Sequence, residues 1–327
     1  MSSVSALQLV LLAGLGFALA AGLVVSAAAP AALARVAPWD PERRHRALLL
    51  LALSPPALGG VGLLAALLPS LLAVGWPAHD HCLAHHGHVH LCFLHPPTQV
   101  ASPTSWLLLA LAAAWLATRS VVALAGLARA NRLARRLLDF QRIDARLGAR
   151  VLPTATPLCL LVGLVRPKVV LSEGLLSQVS SEDLDVMLHH ERAHAVRRDT
   201  PVRLLATAAT AFVWRPVRTR LLRELSLAAE QSCDEAAGRA VGDRLRVAEV
   251  LLRVERLLQT PADGLARVTA SFGGDLSARV ESLLEEPRPP GTLMRPLALV
   301  VLAALALLTA SDPLHHATES LLGALTH

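Results

Sequence analysis

Long stretches without a charged residue decide what this chain of 327 residues can fold into. The first runs from Ala6 to Ala34 and the second from Ala47 to Trp76, and each exceeds the roughly 20 apolar residues that a helix needs to cross a bilayer. A third begins at Trp106 and meets Arg119 after about four helical turns, so this arginine must snorkel or mark where the helix leaves the membrane. With 54% hydrophobic and 17% charged residues, the chain is too apolar for an ordinary soluble domain, and membrane spans are the expected cause.

A fourth and shorter run, Pro296 to Ala310, spans the bilayer if flanking residues supply its ends. The rival interpretation of the first run is a cleaved signal peptide, but no basic residue precedes it and it is longer than a signal h-region. We therefore predict four transmembrane helices, at about residues 6–34, 47–75, 105–127 and 293–311. Tryptophans at the span ends, where amphipathic indoles prefer to lie, agree with these boundaries: Trp39, Trp76 and Trp106.

The distribution of Lys and Arg predicts the orientation of these helices. Four arginines lie in residues 35–46 and many more between Arg129 and Arg295, whereas residues 77–104 and 311–327 contain neither Lys nor Arg. Because basic residues accumulate on the cytoplasmic side, both termini and the loop 77–104 are predicted to lie outside the plasma membrane. The chain then divides into a membrane region (1–127), a cytoplasmic domain (128–292) inserted between the third and fourth spans, the fourth span (293–311) and a short external tail (312–327).

Within the predicted cytoplasmic domain, the pattern indicates strands followed by helices. Arg129 to Leu147 is expected to be an amphipathic helix, and Leu158–Leu164 and Lys168–Ser172 short apolar strands. Ser180 precedes two acids in the manner of a helix N-cap, which predicts a helix that ends near Arg198. Three more helices are predicted at about Pro216–Ala237, Arg244–Leu258 and Asp275–Leu284.

The helix that follows Ser180 contains the sequence His190-Glu191-Arg192-Ala193-His194. His190 and His194 are four residues apart on one helix face, a spacing that lets two imidazole nitrogens reach one zinc ion. Glu191 lies beside them, where a carboxylate takes a proton from the water that attacks the substrate. A surface helix with two histidines and a solvated glutamate is the alternative, but the match lies mid-helix and follows an apolar stretch. We predict a catalytic zinc site.

A catalytic zinc site needs a third protein ligand. No histidine follows His194 in the predicted cytoplasmic domain, so this ligand must be a carboxylate. Glu230 is the best candidate, and Asp234, four residues on, shares its helix face and can orient a ligand. Glu224 is a less favoured alternative. The competing interpretation is that Glu230, Asp234 and Glu235 form a solvated edge with Arg223 and Arg239.

Three spaced motifs carry a family resemblance: Arg166-Pro167-Lys168, HHERAHAVRRD from His189 to Asp199, and EQSCDEA from Glu230 to Ala236. Together they resemble the BlaR/MecR family of membrane metallopeptidases, the antibiotic-sensing signal transducers, over roughly residues 130–285. The resemblance implies a gluzincin-like α+β protease domain with His190, His194 and Glu230 as zinc ligands, Glu191 as general base and Asp234 in support. It also implies that the strand near Lys168 pairs with an extended substrate.

The chain departs from the family pattern in two respects. Sensor members continue after the fourth span into a large external penicillin-binding domain with a nucleophilic serine, whereas 17 residues follow Ala310 here, so direct acylation by β-lactams is not expected. Many zincins also use a downstream His or Tyr to stabilise the oxyanion, and the predicted cytoplasmic domain has neither. The metal, or an arginine such as Arg197, Arg220 or Arg223, is expected to serve instead.

The predicted external loop is rich in histidine. Its seven histidines are His79, His81, His85, His86, His88, His90 and His95. Such density binds transition metals, although a flexible hydrated connector is an equal alternative. An oxidising exterior would also allow Cys82 and Cys92 to form a disulfide.

These features predict a mainly α membrane protein that carries a zinc endopeptidase. The resemblance implies signalling by cleavage of a cytoplasmic winged-helix repressor of the BlaI/MecI type, with self-cleavage as a further outcome. The rivals are an HtpX-like quality-control protease and a non-catalytic metal-sensing membrane protein that uses the His-rich loop. The absence of tyrosine and the 3% aromatic content argue against a stacking platform for nucleic acid, so no direct nucleic-acid binding is predicted.

Overall fold

The computed structural model describes residues 2–76, 91, 102–139, 142–144, 147–164, 166–258, 275–288 and 291–326. This part of the chain is mainly helical. The helices are α1 (Ser2–Val36), α2 (Pro41–Gly75), α3 (Pro103–Asp139), α4 (Glu173–Leu176), α5 (Ser181–Arg197), α6 (Asp199–Ala209), α7 (Arg215–Val241), α8 (Arg244–Leu258), α9 (Leu276–Leu284), α10 (Met294–Thr309) and α11 (Ser311–Thr326). The strands are β1 (Arg142–Asp144), β2 (Ala149–Leu152), β3 (Cys159–Val162) and β4 (Lys168–Ser172). The predicted disulfide of Cys82 and Cys92 lies outside the described residues. So does the predicted metal-binding loop, whose histidines are His79, His81, His85, His86, His88, His90 and His95.

Three helices, α1, α2 and α3, are long and apolar enough to cross a membrane. α10 and α11 pass the same test only as a pair, because they are bent by 70° at the break between them. The described residues therefore contain three such helices, or four if the bent pair forms one span. The segment predicted as a short external tail is helical as far as Thr326, where α11 ends.

Small residues bring α1 and α2 together as an antiparallel pair. A Cβ atom added at Gly59 would lie 3.3 Å from Cα of Ala18, and one added at Gly62 would lie 2.7 Å from the ring of Phe17. Such close approach of two backbones is typical of helices packed within membranes. Near their connecting turn, the two helices instead bury Leu33 and Leu48 in one cluster with residues of α6 and α7.

The four strands form one sheet in the order β1-β2-β4-β3. β4 is central, since it pairs in parallel with β2 and antiparallel with β3. The expectation that the strand near Lys168 receives an extended substrate is therefore wrong, because both edges of β4 already carry ladder hydrogen bonds. In the described part of the chain, β3 is the edge strand on that side of the sheet.

The predicted helix Arg129–Leu147 is correct only in its first half. α3 continues to Asp139, and the chain then forms β1, which pairs antiparallel with β2. Gly148 adopts a φ of 59° between these strands, a conformation that glycine allows without steric cost. Strand pairing thus overrides the helical periodicity of the arginine-rich sequence.

The other predicted elements are confirmed within a few residues. α5 begins after Ser180, whose hydroxyl accepts a hydrogen bond from the backbone N–H of Asp183 at 3.1 Å. β3, β4, α7, α8 and α9 lie where the apolar pattern and the caps indicate. α6 was not predicted, since Pro201 in its first turn suggested only that the preceding helix ends.

A core of buried aliphatic side chains joins the sheet to the helices. It includes Leu171 of β4, Val186 and Met187 of α5, Ala237 of α7 and Val247 of α8. The apolar face of α5 is buried in this core, and α7 packs directly against α5. The face of α5 that carries His190 and His194 is thereby held against α7.

Candidate metal centre

His190 and His194 of α5 meet Glu230 of α7 at a single point. The two Nε2 atoms are 3.1 Å apart, and each lies 3.6 Å from one of the carboxylate oxygens of Glu230. In a tetrahedral zinc site with bonds of about 2.0–2.1 Å, neighbouring ligand atoms are about 3.3 Å apart. Two imidazole nitrogens and a carboxylate oxygen at these separations fit a zinc ion, with a fourth position left for water or substrate.

Each imidazole has a carboxylate behind it, in ion-pair contact for His190 and in a hydrogen bond for His194. Nδ1 of His190 lies 2.9 Å from Oδ1 of Asp234, and Nδ1 of His194 lies 2.6 Å from Oδ2 of Asp199. A carboxylate on the second ring nitrogen fixes the orientation and tautomer of a metal-binding histidine and raises its basicity. Both Nε2 atoms are thereby aimed at the common point.

Asp199 is a site residue that the sequence did not predict. It follows His194 by five residues, which on a continuous helix would place it about 140° away around the axis. Arg198 interrupts the helix with φ 55° and ψ 44°, the one positive φ of a non-glycine residue among the described residues. This left-handed turn brings the Asp199 carboxylate back to His194.

Arg279 of α9 is a second residue that sequence reasoning missed. Its guanidinium donates two hydrogen bonds to Asp234, at 2.7 and 2.8 Å, and a third nitrogen lies 3.2 Å from Glu230. The side chain is largely buried, so it places a full positive charge between two buried carboxylates. No sequence pattern indicated this contact, because Arg279 lies on another helix, 45 residues beyond Asp234.

The pKa values of the site follow from burial opposed by these contacts. Burial raises the pKa of Glu230, but its contacts with both histidines and with Arg279 outweigh burial and hold it well below the usual range. Burial lowers the pKa of His194, but its contacts with Asp199, Cys233 and Glu230 raise it well above 6.5. Burial also lowers the pKa of His190, and the contacts with Asp234 and Glu230 again outweigh burial and raise this pKa.

Glu191 lies on the side of the site that faces the sheet. Its neighbour there is Cys159 of β3, whose thiol pKa is raised by burial and by the negative charge of Glu191. The predicted general base therefore contacts the edge strand of the sheet.

Cys233 supports the site from α7. Its thiol donates to Oδ2 of Asp199 at 3.7 Å, so Cys233, Asp199 and His194 also form a compact group. This group reaches His194 through Nδ1, the nitrogen that Asp199 already engages. It is an extension of the site behind His194.

Of the three arginines predicted to stabilise an oxyanion, only Arg197 reaches a site residue, and it does so behind His194. Arg197 pairs with Glu42 of α2 and with Asp199, where Nε lies 3.3 Å from the carboxylate. Arg223 is 75% exposed and lies 3.5 Å from Glu224, and Arg220 is exposed. None of the three forms an ion pair or hydrogen bond with Glu230, and their role in the transition state stays a prediction.

Glu224, the alternative third ligand, is engaged by the first turn of α2. It pairs with Arg44, which also reaches Gln231 at 3.4 Å, while Glu42 of the same turn pairs with Arg197. Glu230 is thus the carboxylate that contacts both histidines. α2 contacts the two helices that carry the site, through Arg197 of α5 and Glu224 of α7.

A family model described as BlaR1 peptidase M56 matches residues 97–283, more than half of the chain. The matched region includes both histidines, Glu230 and Arg279. Comparisons with curated proteins and with solved structures gave no match.

Proposed function

Because the chain belongs to the BlaR1 peptidase M56 family of membrane metallopeptidases, we propose that it is a zinc endopeptidase that cuts a cytoplasmic protein. The observation that carries the proposal is the meeting of the Nε2 atoms of His190 and His194 with the Glu230 carboxylate, with Glu191 beside them. Two neutral nitrogens and one carboxylate leave a bound Zn²⁺ with a net positive charge. A site of this composition suits a reaction that develops negative charge.

A zinc ion held there supplies Lewis acidity, which polarises a peptide carbonyl and makes a neighbouring water molecule more acidic. Glu191 accepts the proton of that water and later returns it to the amine leaving group. Asp199 holds the proton of His194 on Nδ1, and the charge of Asp234 beside Nδ1 of His190 favours the same tautomer there, so that both Nε2 lone pairs stay available. Arg279 offsets the charge of Asp234 and Glu230, which keeps both ionised in a buried setting.

The edge strand β3 supports a mode of substrate binding. An extended peptide that adds to β3 by main-chain hydrogen bonds would run past Cys159 and hence past Glu191. We propose this edge as the substrate groove, in place of the central strand β4.

For the substrate, we propose a winged-helix repressor of the BlaI/MecI type, with self-cleavage as a second outcome. The support is the family membership and the distribution of Lys and Arg, which favours a protease domain on the cytoplasmic side of the plasma membrane with both termini outside. A specific cut within such a partner is expected, rather than broad degradation of membrane proteins.

The test compares Glu191→Gln with wild-type protein at equal levels in the membrane, with a co-expressed repressor partner as substrate. General-base assistance is typically worth about 10²–10⁴ in rate, so cleavage by Glu191→Gln should be hard to detect. Zinc content should stay near wild type, because Glu191 is not among the three ligand candidates. Glu182→Gln is the matched control, since Glu182 is an 80% exposed glutamate in the first turn of the same helix. Equal cleavage by Glu191→Gln and wild type would show that Glu191 is not the base.

A further inference from the structure

The length of α1 indicates where the membrane ends on the protease side. α1 has 35 residues and is therefore about 52 Å long, whereas the hydrocarbon core needs only about 20 residues, or 30 Å. A span of about 20 residues that begins at Ala6 ends near Ser26. About ten residues of α1 then project beyond the bilayer.

The neighbouring helices give the same level. Gly59 of α2 faces Ala18, and Leu63 faces Gly14, so Ser26 lies level with the turn of α2 around Leu51. The Gln8 side chain donates to the carbonyl of Ser102, which sets the start of α3 level with Gln8 of α1. Sixteen residues further along α3 stands Arg119, whose guanidinium lies 5.0 Å from the Trp115 ring. An arginine over a tryptophan is suited to a membrane–water interface.

Beyond this level, the α1–α2 hairpin belongs to the core of the protease domain. Leu33 of α1 and Leu48 of α2 are buried in one cluster with Ala206 of α6 and with Leu221 and Leu225 of α7. Beyond this level lie about eight residues of the span predicted at 6–34 and about four of the span predicted at 47–75, on the side where Leu33 and Leu48 pack against the protease domain.

The turn between α6 and α7 lies at the level of Ser26. The backbone N–H of Trp214 donates to Oγ of Ser26 at 2.9 Å, and a Cβ at Gly22 would clash with the Phe212 carbonyl. The Phe212 ring lies 5.3 Å from that of Trp115 on α3. The turn is therefore in contact with two of the membrane helices.

The turn and the helix before it expose apolar side chains. Trp214 is 66% exposed and Leu205 is 56% exposed, and residues 204–214 contain no charge. Arginines 203 and 215 flank this segment on both sides. This pattern matches the polarity of a lipid leaflet, in which an indole and a leucine contact the acyl chains and the flanking arginines lie near the phosphates.

We infer that the α6–α7 turn is a membrane anchor, which sets Trp214 into the leaflet next to the protease domain, with Leu205 of α6 exposed toward its surface. α6 begins at Asp199, which holds His194, and its 11 residues are about 16 Å long. The metal centre therefore stands within about 16 Å of the bilayer surface. This inference concerns the position of the site and holds whether or not the chain cleaves a repressor.

The test uses the full chain in bilayers that contain brominated phosphatidylcholine, whose bromines quench only tryptophans at the membrane. Two single variants are compared, Trp214→Phe and Trp39→Phe, with a cooperative thermal unfolding transition as the check of folding. Trp39 lies in the α1–α2 turn, where the guanidinium of Arg43 covers its ring at 3.8 Å. The span boundaries predicted from sequence put Trp39 at the interface, whereas the structural level puts it well beyond the bilayer.

Trp214→Phe should remove a clear part of the quenched fluorescence, and Trp39→Phe should remove only unquenched fluorescence. If Trp214→Phe leaves the quenched amplitude unchanged, the turn is covered by protein, such as a second copy of the chain, and the inference is wrong. It is equally wrong if Trp39 proves to be the quenched residue, since the membrane would then lie at the level of the α1–α2 turn.

Discussion

Replacing Asp199 with asparagine tests whether the carboxylate behind His194 tunes a zinc site. Oδ2 of Asp199 lies 2.6 Å from Nδ1 of His194, and the asparagine keeps the shape but removes the charge. Loss of such a partner typically weakens metal binding by about 10–100-fold. Arg197, 3.3 Å from the same carboxylate, already offsets part of its charge, so we expect about tenfold, or about 1.4 kcal/mol.

The effect should depend on pH in a defined direction. Burial lowers the pKa of His194, but the contact with Asp199 leads the groups that raise it well above 6.5, so a proton competes with zinc at neutral pH. Asp199→Asn lowers the affinity of His194 for zinc and also lowers its affinity for the competing proton. The loss of affinity should therefore be smallest near pH 6.5 and should widen as the pH approaches 8.5.

The assay is zinc titration of the detergent-solubilised full chain against a competing chelator at both pH values. Asp185→Asn is the matched control, because Asp185 lies on the same helix, is 58% exposed and is 3.6 Å from His189 outside the site. Equal affinities of Asp199→Asn and wild type at pH 8.5 would refute the reasoning. So would a control variant that loses as much affinity as Asp199→Asn.

Two further predictions concern the stability of the zinc-free protein. Arg279→Met should lower its free energy of unfolding by about 3–5 kcal/mol, because two buried carboxylates lose their cation, and zinc should recover part of the loss. Thermal unfolding measures this change against Arg253→Met, a 45% exposed arginine, and equal losses would contradict it. The zinc-free protein should also lose stability as the pH rises above about 6.5, because His190 and His194 bind protons more tightly when folded than when unfolded. Unfolding temperatures between pH 6 and pH 9 should fall without zinc and not with it, and a flat profile without zinc would be inconsistent with the raised pKa values.

Local patterns in the sequence predicted the local parts of the site. The four-residue spacing of His190 and His194 needs only a helix, and the cap at Ser180 predicted that helix correctly. Glu230 followed from chemistry, since zinc requires a third ligand and the predicted domain offered no further histidine. The structure brings these residues together, although their roles stay predictions.

Contacts that depend on tertiary structure were not accessible from the sequence. Asp199 reaches His194 only because Arg198 turns the backbone left-handed, and Arg279 arrives from a separate helix. The half-strand, half-helix nature of residues 129–147 was also missed, because β1 is stable only when paired with β2. The apolar length of α1 and α2 gave spans, but it did not separate residues that face lipid from those buried in protein.

The buried position of Arg279 also orders events during synthesis. The contact between Arg279 and Asp234 closes 45 residues of chain, and that between Arg197 and Glu42 closes 155. A ribosome-bound chain that has not yet released α9 holds Glu230 and Asp234 without their counter-ion, which opposes the packing of α7 on α5. The centre is therefore completed only after α9 has been made, when the first three long apolar helices have already left the ribosome.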